Sequence, residues 1–581
     1  MNDQYPENSQ PVIVVGAGPA GCTAALLLAD YGIPVTLLER YPQPLLLPRA
    51  VHLDDEVARV LDRIGVSEGF LARSRPGSGL RLLDARHRVM AEFRRDQQPG
   101  QHGFPQANMF HQPDLEELLL ARVGQHPLIS LRRGAEVTGL DGALDALTAD
   151  PVRVQARVAG QPQTFTGRVV LGCDGANSTI RQLAGITMED LGFTERWLVV
   201  DIKADAGLDT WDGVEQICDP ARPATFMHVT DDRYRWEFQL GDGEDEADLV
   251  TPAALGALLR PWTGRGDLDG LEIIRSVSYT FRARLASRFR AGRVFLLGDA
   301  AHLTPPFIGQ GLAAGLRDAD NLAWKLAYVL TGRAGPDLLA SYEIERRPHA
   351  RALIKKAVRV GWAMTGGQDR AAVVRRIALA AAVRSDRICQ AMGSTATPRL
   401  AAGALQSSPR RFLPSGIPPA LRVGSLIPNP LVSAGDGTPV RLDAILAGRS
   451  AVLTARHPDA GLAGFCRRHG LVLARISAPG TGTPPGPGAQ QDADWIDVRL
   501  AGDATPAGLR ALAADPALTV LVRPDRVVAA VGTQSRLLRL PWSIPAAAGP
   551  ERRATAPPAA HPESAVPVTT TPLGSSHVRH H

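Results

Sequence analysis

Cysteine is scarce and scattered: Cys22, Cys173, Cys218, Cys389 and Cys466 are the only five in 581 residues. None forms a CxxC pair and none stands with histidine at metal-ligand spacing, so neither a metal site nor a thiol-redox motif is expected. Long apolar runs are also missing. Residues 377–383 are the kind of stretch available, against the ~20 residues that a membrane-spanning helix needs. The start of the chain is polar and carries Asp3 and Glu7 where a secretion signal would be basic. A soluble, cytoplasmic protein that stays off the membrane is the expectation. Nor is there a Lys/Arg-rich run: 64 basic and 59 acidic residues are interspersed for a net charge of +5. That charge has no direction, so nucleic acid is not an expected partner. Internal repeats are absent.

What the chain does have is ordinary globular material, 44% hydrophobic and 21% charged residues, at a length that calls for at least two folded units. Residues 11–15 read as a short apolar strand that runs into a glycine turn. An Ala/Leu-rich helix over 19–31 follows, then a second strand over 35–38 that delivers Glu39. Residues 114–123 read as a helix and 169–172 as another buried strand. Between about 190 and 285 the pattern becomes that of strands. Tyr234, Trp236, Phe238 and Leu240 alternate with Arg235, Glu237 and Gln239, a period of two that predicts a sheet with one buried face. A continuous apolar strand over 293–297, a glycine loop and a helix over about 312–326 come next, and helical patterns run on to about 395. Ser, Pro and Gly over 400–425 mark a boundary. A smaller α/β unit follows, with strands at 451–454, 471–476, 496–500 and 519–522 and a hairpin turn at 523–526. Residues 480–491 read as an exposed loop, and the chain from about 546 as a disordered tail.

Three strand-to-turn-to-helix junctions carry the chemistry. In the first, Gly16, Gly18, Pro19, Ala20 and Gly21 form a GxGxxG turn between strand and helix. Gly16 permits the tight turn, Gly18 lets the backbone approach a pyrophosphate, and Gly21 allows close helix packing. Glu39 at the end of the next strand can accept hydrogen bonds from both hydroxyls of a ribose. The second is Gly172-Cys173-Asp174-Gly175-Ala176-Asn177-Ser178, with Arg181 beyond it. The third is Gly292 to His302 with Pro305-Pro306-Phe307-Ile308-Gly309-Gln310-Gly311-Leu312. There an acid at a strand end, Asp299, can bind a polyol while loop N–H groups face an anionic ring edge.

The three motifs in this order resemble those of the flavin-dependent aromatic hydroxylases of the p-hydroxybenzoate hydroxylase type, over roughly residues 10–400. Leu47 to Glu56 and Cys218 to Thr225 resemble, more narrowly, 3-(3-hydroxyphenyl)propionate hydroxylases and polyketide-tailoring relatives. The resemblance implies an α/β fold: a Rossmann-like FAD-binding domain over 1–400 with an inserted β-sheet substrate domain. A thioredoxin-like α/β domain without CxxC would occupy 401–545, and the disordered tail 546–581. It implies FAD as cofactor. Gly16, Gly18, Pro19, Ala20, Gly21, Glu39 and Arg40 would hold its ADP half, with Arg49 and Gln112 nearer the flavin. Asp299 and Gly298 would bind the ribityl chain, and Pro306, Gly309, Gly311 and Leu312 would line the ring. Asp174 belongs to a motif tied to both FAD and pyridine nucleotide. Ala313 departs from the asparagine common in relatives, which removes a side-chain contact to the flavin.

The chemistry so implied is reduction by NAD(P)H as a transient co-substrate, addition of O2 at flavin C4a, and transfer of OH from the hydroperoxide to a phenolic ring. The protein must exclude water and bias the substrate toward phenolate. Arg222, His228, Trp236 and Glu237 on the substrate sheet are the candidates for contact with the aromatic substrate, each set against the plainer reading of a solvent-facing strand residue or a loop brace. His302 reads as structural. A homodimer stays open, as do a reductase or halogenase of the same fold and a non-catalytic flavin-binding regulator. The C-terminal unit, lacking any of these motifs, is expected to be dispensable for FAD binding and for at least some hydroxylation, with solubility and assembly left open.

Overall fold

The structure, a computed structural model, describes residues 10–45, 48–142, 150–365, 397–401, 403–404, 417–434, 438–479, 494–501 and 505–539. The expected tail, the loop at 480–491, the segment 377–383 and most of the boundary at 400–425 lie outside the described residues.

The first sheet is built on Val12–Val15, four consecutive apolar residues that are all buried. This pattern suits a parallel strand covered on both faces. Val35–Glu39 pairs with it in parallel on one side and Val169–Gly172 on the other. The sheet is completed by Ile129–Arg133 at one end and by Val294–Leu296 and Arg290–Ala291 at the other. The chain leaves Val12–Val15 toward one neighbour and returns much later to the other, so a crevice opens at the carboxyl end of this central strand. Helix Pro19–Asp30 begins with proline in its first turn, where a missing N–H costs nothing. It packs against the long helix Gly311–Leu330, and ten of its twelve residues are buried.

The second sheet has eight strands. Its centre is the expected substrate region: Met188–Ala204, Val214–Ile217, Ala224–Thr230, Arg233–Gln239 and Leu271–Ala286. It also recruits Gly79–Leu83, Val89–Arg94 and His302–Leu303, which lie outside 190–285. The period-two pattern at 234–240 is real, but this strand is buried on both faces. Tyr234, Trp236 and Phe238 join a core beneath helix Pro252–Thr263. Arg235 and Glu237, on the opposite face, are only 2% and 7% exposed because that face is turned toward the first domain.

The C-terminal unit is a separate seven-stranded mixed sheet with its own hydrophobic core. Thr519–Val522 and Val528–Gly532 form the expected hairpin. Its turn is buried, however: Arg523 and Asp525 bond Glu345 and Asn321 of the first domain, and Arg526 packs on Asp443 of its own unit. No helix among the described residues is long and apolar enough to cross a membrane.

Candidate cofactor and substrate site

The three glycine junctions meet at the carboxyl edge of the first sheet, and backbone contact makes them meet. Gly16 adopts φ +102°, and a Cβ there would lie 2.4 Å from the carbonyl oxygen of Cys173, so the first and second motifs touch backbone to backbone. A Cβ on Gly21 would lie 1.9 Å from the carbonyl oxygen of Gly16. Gly315 closes the third side: its Cβ would meet the Cα of Gly298 at 3.0 Å and the Cβ of Ala20 at 3.4 Å. Small residues thus bring two helices and two loops to one point.

By contrast, a Cβ on Gly18 would meet nothing within 4 Å and one on Gly311 only the Thr304 carbonyl oxygen at 4.0 Å. These two glycines bound open space in front of two helix N-termini. The first-turn N–H groups there have no intrahelical acceptor and supply positive potential. This open cradle fits the pyrophosphate and ring edge of a flavin dinucleotide. Ala313 is fully buried in the first turn of Gly311–Leu330 and offers no polar side chain.

Glu39 lies at the rim. Its Oε2 accepts from Ala17 N–H at 2.8 Å and its Oε1 from Tyr41 N–H at 2.9 Å, which fixes the carboxylate beside the glycine turn. Arg40 is exposed, with its guanidinium 4.6 Å from the Tyr41 ring centre. Gln112, 5% exposed, holds the Arg49 segment by accepting from the N–H groups of Arg49 (3.2 Å) and Ala50 (2.7 Å). The Arg49 side chain is exposed to the crevice. Asp299 sits in the short turn Gly298–Ala300 after strand Val294–Leu296. The protein mass around Asp299 raises its carboxyl above the ordinary range, partly offset by His302 and Arg49. Asp299 is nevertheless exposed at this strand end.

Asp174 is engaged within its own loop. It accepts from Ser178 Oγ at 2.5 Å and from Ile180 N–H at 3.0 Å, while Ser178 caps the following short helix through Arg181 N–H. Arg181 then donates to the carbonyl of Ala300 at 3.0 Å, tying the second motif to the third. His302 is buried and bonded at 2.6 Å to Asp318, which also accepts from Gly298 N–H and Arg346. It holds the loop from behind, as its sequence position suggests.

The loop from Pro306 to Leu312 is braced by charges the sequence did not single out. Arg317, one turn and a half into the helix, donates to Asp54 at 2.5 Å, to Glu56 at 2.8 Å and to Gln310 at 2.8 Å. Asp54 also accepts from Gln310 and caps helix Asp55–Arg63. Arg317 and hydrogen bonds from Gln310 and Val57 hold the Asp54 carboxyl below the usual range against its burial.

The substrate candidates do not converge. Arg222 pairs with Glu244 and bonds the Gln239 carbonyl, so it braces a loop. His228 has both ring nitrogens engaged, with Asp212 (2.9 Å) and the carbonyl of Asp231 (3.0 Å), and stacks on Tyr234. Trp236 is wholly buried on the far face with Phe226 and Trp262. Only Glu237 lies on the face turned to the cofactor crevice. Missed altogether was the cluster beside it: Asp201 accepts from Arg235 on both carboxylate oxygens (2.7 and 3.1 Å) and from Arg275 twice on Oδ2 (2.8 and 3.0 Å). Both arginines also donate to the carbonyl of Pro48, and Arg235 to that of Arg49. This clamp fastens the substrate sheet to the Arg49 segment. At the other end of the same face, Phe307 of the third motif meets Phe193 and Trp197 at ring distances of 5.7 and 5.8 Å.

The chain is similar to known proteins along most of its length. Residues 9–357 match the FAD binding domain family and residues 424–544 the HcaD C-terminal domain family. A 3-(3-hydroxy-phenyl)propionate/3-hydroxycinnamic acid hydroxylase of Burkholderia vietnamiensis (strain G4 / LMG 22486) is 35% identical over 550 residues, 90% of this chain and 94% of that one. A probable NADH-specific resorcinol 4-hydroxylase of Rhodococcus jostii (strain RHA1) is 36% identical over 356 residues, 61% of this chain and 65% of its own. Among solved structures, the flavin-dependent monooxygenase PieE in complex with FAD and substrate superposes with a TM-score of 0.71 at 24% identity, covering 91% of this chain and 97% of that chain. Aklavinone-11 hydroxylase with FAD and aklavinone gives the same score and identity, with 91% and 96% covered.

Proposed function

We propose, from the premise that this chain belongs to the FAD binding domain family and is an FAD-dependent aromatic hydroxylase, that the row between the Pro48–Arg49 segment and Phe307 is where a phenolic ring is held. The observation that carries this reading is the convergence of three glycine junctions on an open cradle directly beside a buried, partly polar sheet face.

Bound FAD supplies the redox chemistry, accepting electrons from NAD(P)H and activating O2 to deliver one oxygen atom to the ring. The residues here do the rest. Gly16, Gly18 and the N-terminus of Pro19–Asp30 would hold the pyrophosphate, Glu39 and Arg40 the adenosine side, and Asp299 the ribityl hydroxyls. Pro306, Gly309, Gly311 and Leu312 would present backbone to the ring, with Arg49 and Gln112 alongside. Asp174 supports the cradle by capping its own turn. The clamp of Asp201, Arg235 and Arg275 closes the sheet over the crevice, and the aromatic wall of Phe193, Trp197 and Phe307 keeps water from the reacting carbon. Glu237, whose carboxyl is raised by burial, faces the crevice as an acceptor for a substrate proton.

The thiols Cys22, Cys173 and Cys466 are free, which fits a reducing compartment. The test is NAD(P)H oxidation by the yellow holoprotein with resorcinol. Stimulation with formation of a ring-hydroxylated product is expected. NAD(P)H oxidation that yields only hydrogen peroxide with every phenol would overturn the reading.

A further inference from the structure

The cofactor-facing side of the substrate sheet carries one cross-strand row of polar groups. Strand pairing sets Gln216 beside Thr225 and Thr225 beside Glu237, with Val199 and Val277 continuing the row. Directly paired residues share a face. Gln216 is 1% exposed, and its Oε1 accepts from Thr225 Oγ1 at 2.7 Å while its Nε2 has no partner. Which prong of the amide is nitrogen is set by that network, and either assignment leaves one prong unused. Glu237 is 7% exposed and accepts no side-chain hydrogen bond among the described residues; its nearest cation, Arg235, stands at 3.9 Å. A buried amide prong and a buried carboxylate are both costly to leave unpaired, and they lie on one row bracketed by Pro48–Arg49 and Phe307.

We propose that Gln216, Thr225 and Glu237 form the subsite that recognises an uncharged phenolic hydroxyl, and that the pocket selects against a ring bearing a carboxylate. This rests on the hydroxylase reading above. A phenol hydroxyl donates once and accepts: it gives its proton toward Glu237 and accepts from the Gln216 amide, satisfying both orphans. A substrate carboxylate has nothing to give Glu237 and meets a like charge. Arg235 and Arg275 do not compensate, because they are turned onto Asp201 and the carbonyls of Pro48 and Arg49, and the charge of Arg49 itself acts on Asp299. Arg95, with Lys356 beside it, bonds His52 at 3.4 Å. The specificity therefore differs from that in the name of the 3-(3-hydroxy-phenyl)propionate relative.

The probes are 3-(3-hydroxyphenyl)propionate and its methyl ester, which differ in charge but share the ring. Each is titrated into holoprotein at neutral pH and read by the change in flavin absorbance. The ester is expected to bind at least about tenfold more tightly than the acid. Glu237→Gln, isosteric and neutral, should pull that ratio toward one with FAD content unchanged. Gln216→Leu should weaken the ester but not methyl 3-phenylpropionate, which lacks the ring hydroxyl. An acid that binds as well as the ester, or a ratio that Glu237→Gln leaves alone, overturns the subsite. If phenols are hydroxylated but the acid is preferred, only this inference fails. If no phenol perturbs the flavin or is hydroxylated, the hydroxylase reading falls and the subsite with it.

Discussion

Replacing Asp443 with asparagine should loosen the flavin loop from a different domain. Asp443 lies on the C-terminal unit, yet it takes two bonds from Arg59, at 2.5 and 2.7 Å, and an ion pair from Arg526 at 2.8 Å. Arg59 is 5% exposed and lies on helix Asp55–Arg63, whose cap Asp54 holds Gln310 and Arg317. Breaking a buried pair from one side costs about 3–5 kcal/mol, and asparagine, which keeps one acceptor, belongs at the lower end. At ~2 °C per kcal/mol for a large domain, the melting temperature should fall by about 6 °C. The assay is thermal release of FAD, followed by its fluorescence. Arg59 and Arg526 hold the Asp443 carboxyl down at about 2 despite its burial, although burial also lowers Arg526 itself. The folded value lies below the unfolded one, so the stabilisation is present above pH ~4, where it is worth about 2.5 kcal/mol. It is lost as pH falls through 2, and Asp443→Asn should flatten this acid limb. A variant with unchanged melting temperature and acid limb would refute the linkage between the domains.

Other outcomes follow from the same contacts. Asp299→Ala should yield folded protein that retains little FAD, as judged by absorbance after gel filtration against circular dichroism. Gly21→Ala, whose Cβ would strike the Gly16 carbonyl, should abolish cofactor binding, whereas Gly32→Ala, with nothing within 4 Å but a φ of +80°, should cost only about 1 kcal/mol. Cutting the chain after residue 400 removes Arg523 and Asp525 from the buried set of Glu345, Lys325 and Asn321. The truncated protein should precipitate or lose FAD, measured by yield and flavin content; a stable yellow fragment would contradict this.

The expectation of a C-terminal unit dispensable for FAD binding took no account of these buried contacts, and the reason shows what a sequence can and cannot carry. Strand, glycine turn and helix at 12–30 are local: the chain's own spacing states them, and so does the strand-end acid Asp299. The period-two run at 234–240 states the sheet, but not what covers its second face. The partners of Arg235 lie 34 and 186 residues away, and those of Arg59 384 away. No periodicity connects such positions. Trp236 drew attention as a bulky strand aromatic; the same alternation that built the strand put it on the far face, in the core. Gln216 gave no signal at all, since its significance is an amide prong left over once Thr225 has taken the other.

The central claim is tested most directly by following the oxygen atom. Holoprotein is given NAD(P)H, resorcinol or another phenol that it binds, and isotopically labelled O2, and the product mass is read. The account requires one labelled atom in each hydroxylated ring, with its formation matched to NAD(P)H consumed and lost when Asp299→Ala removes the flavin. A product oxygen that comes from water, or oxygen uptake that ends wholly as hydrogen peroxide while a phenol is bound, would contradict it.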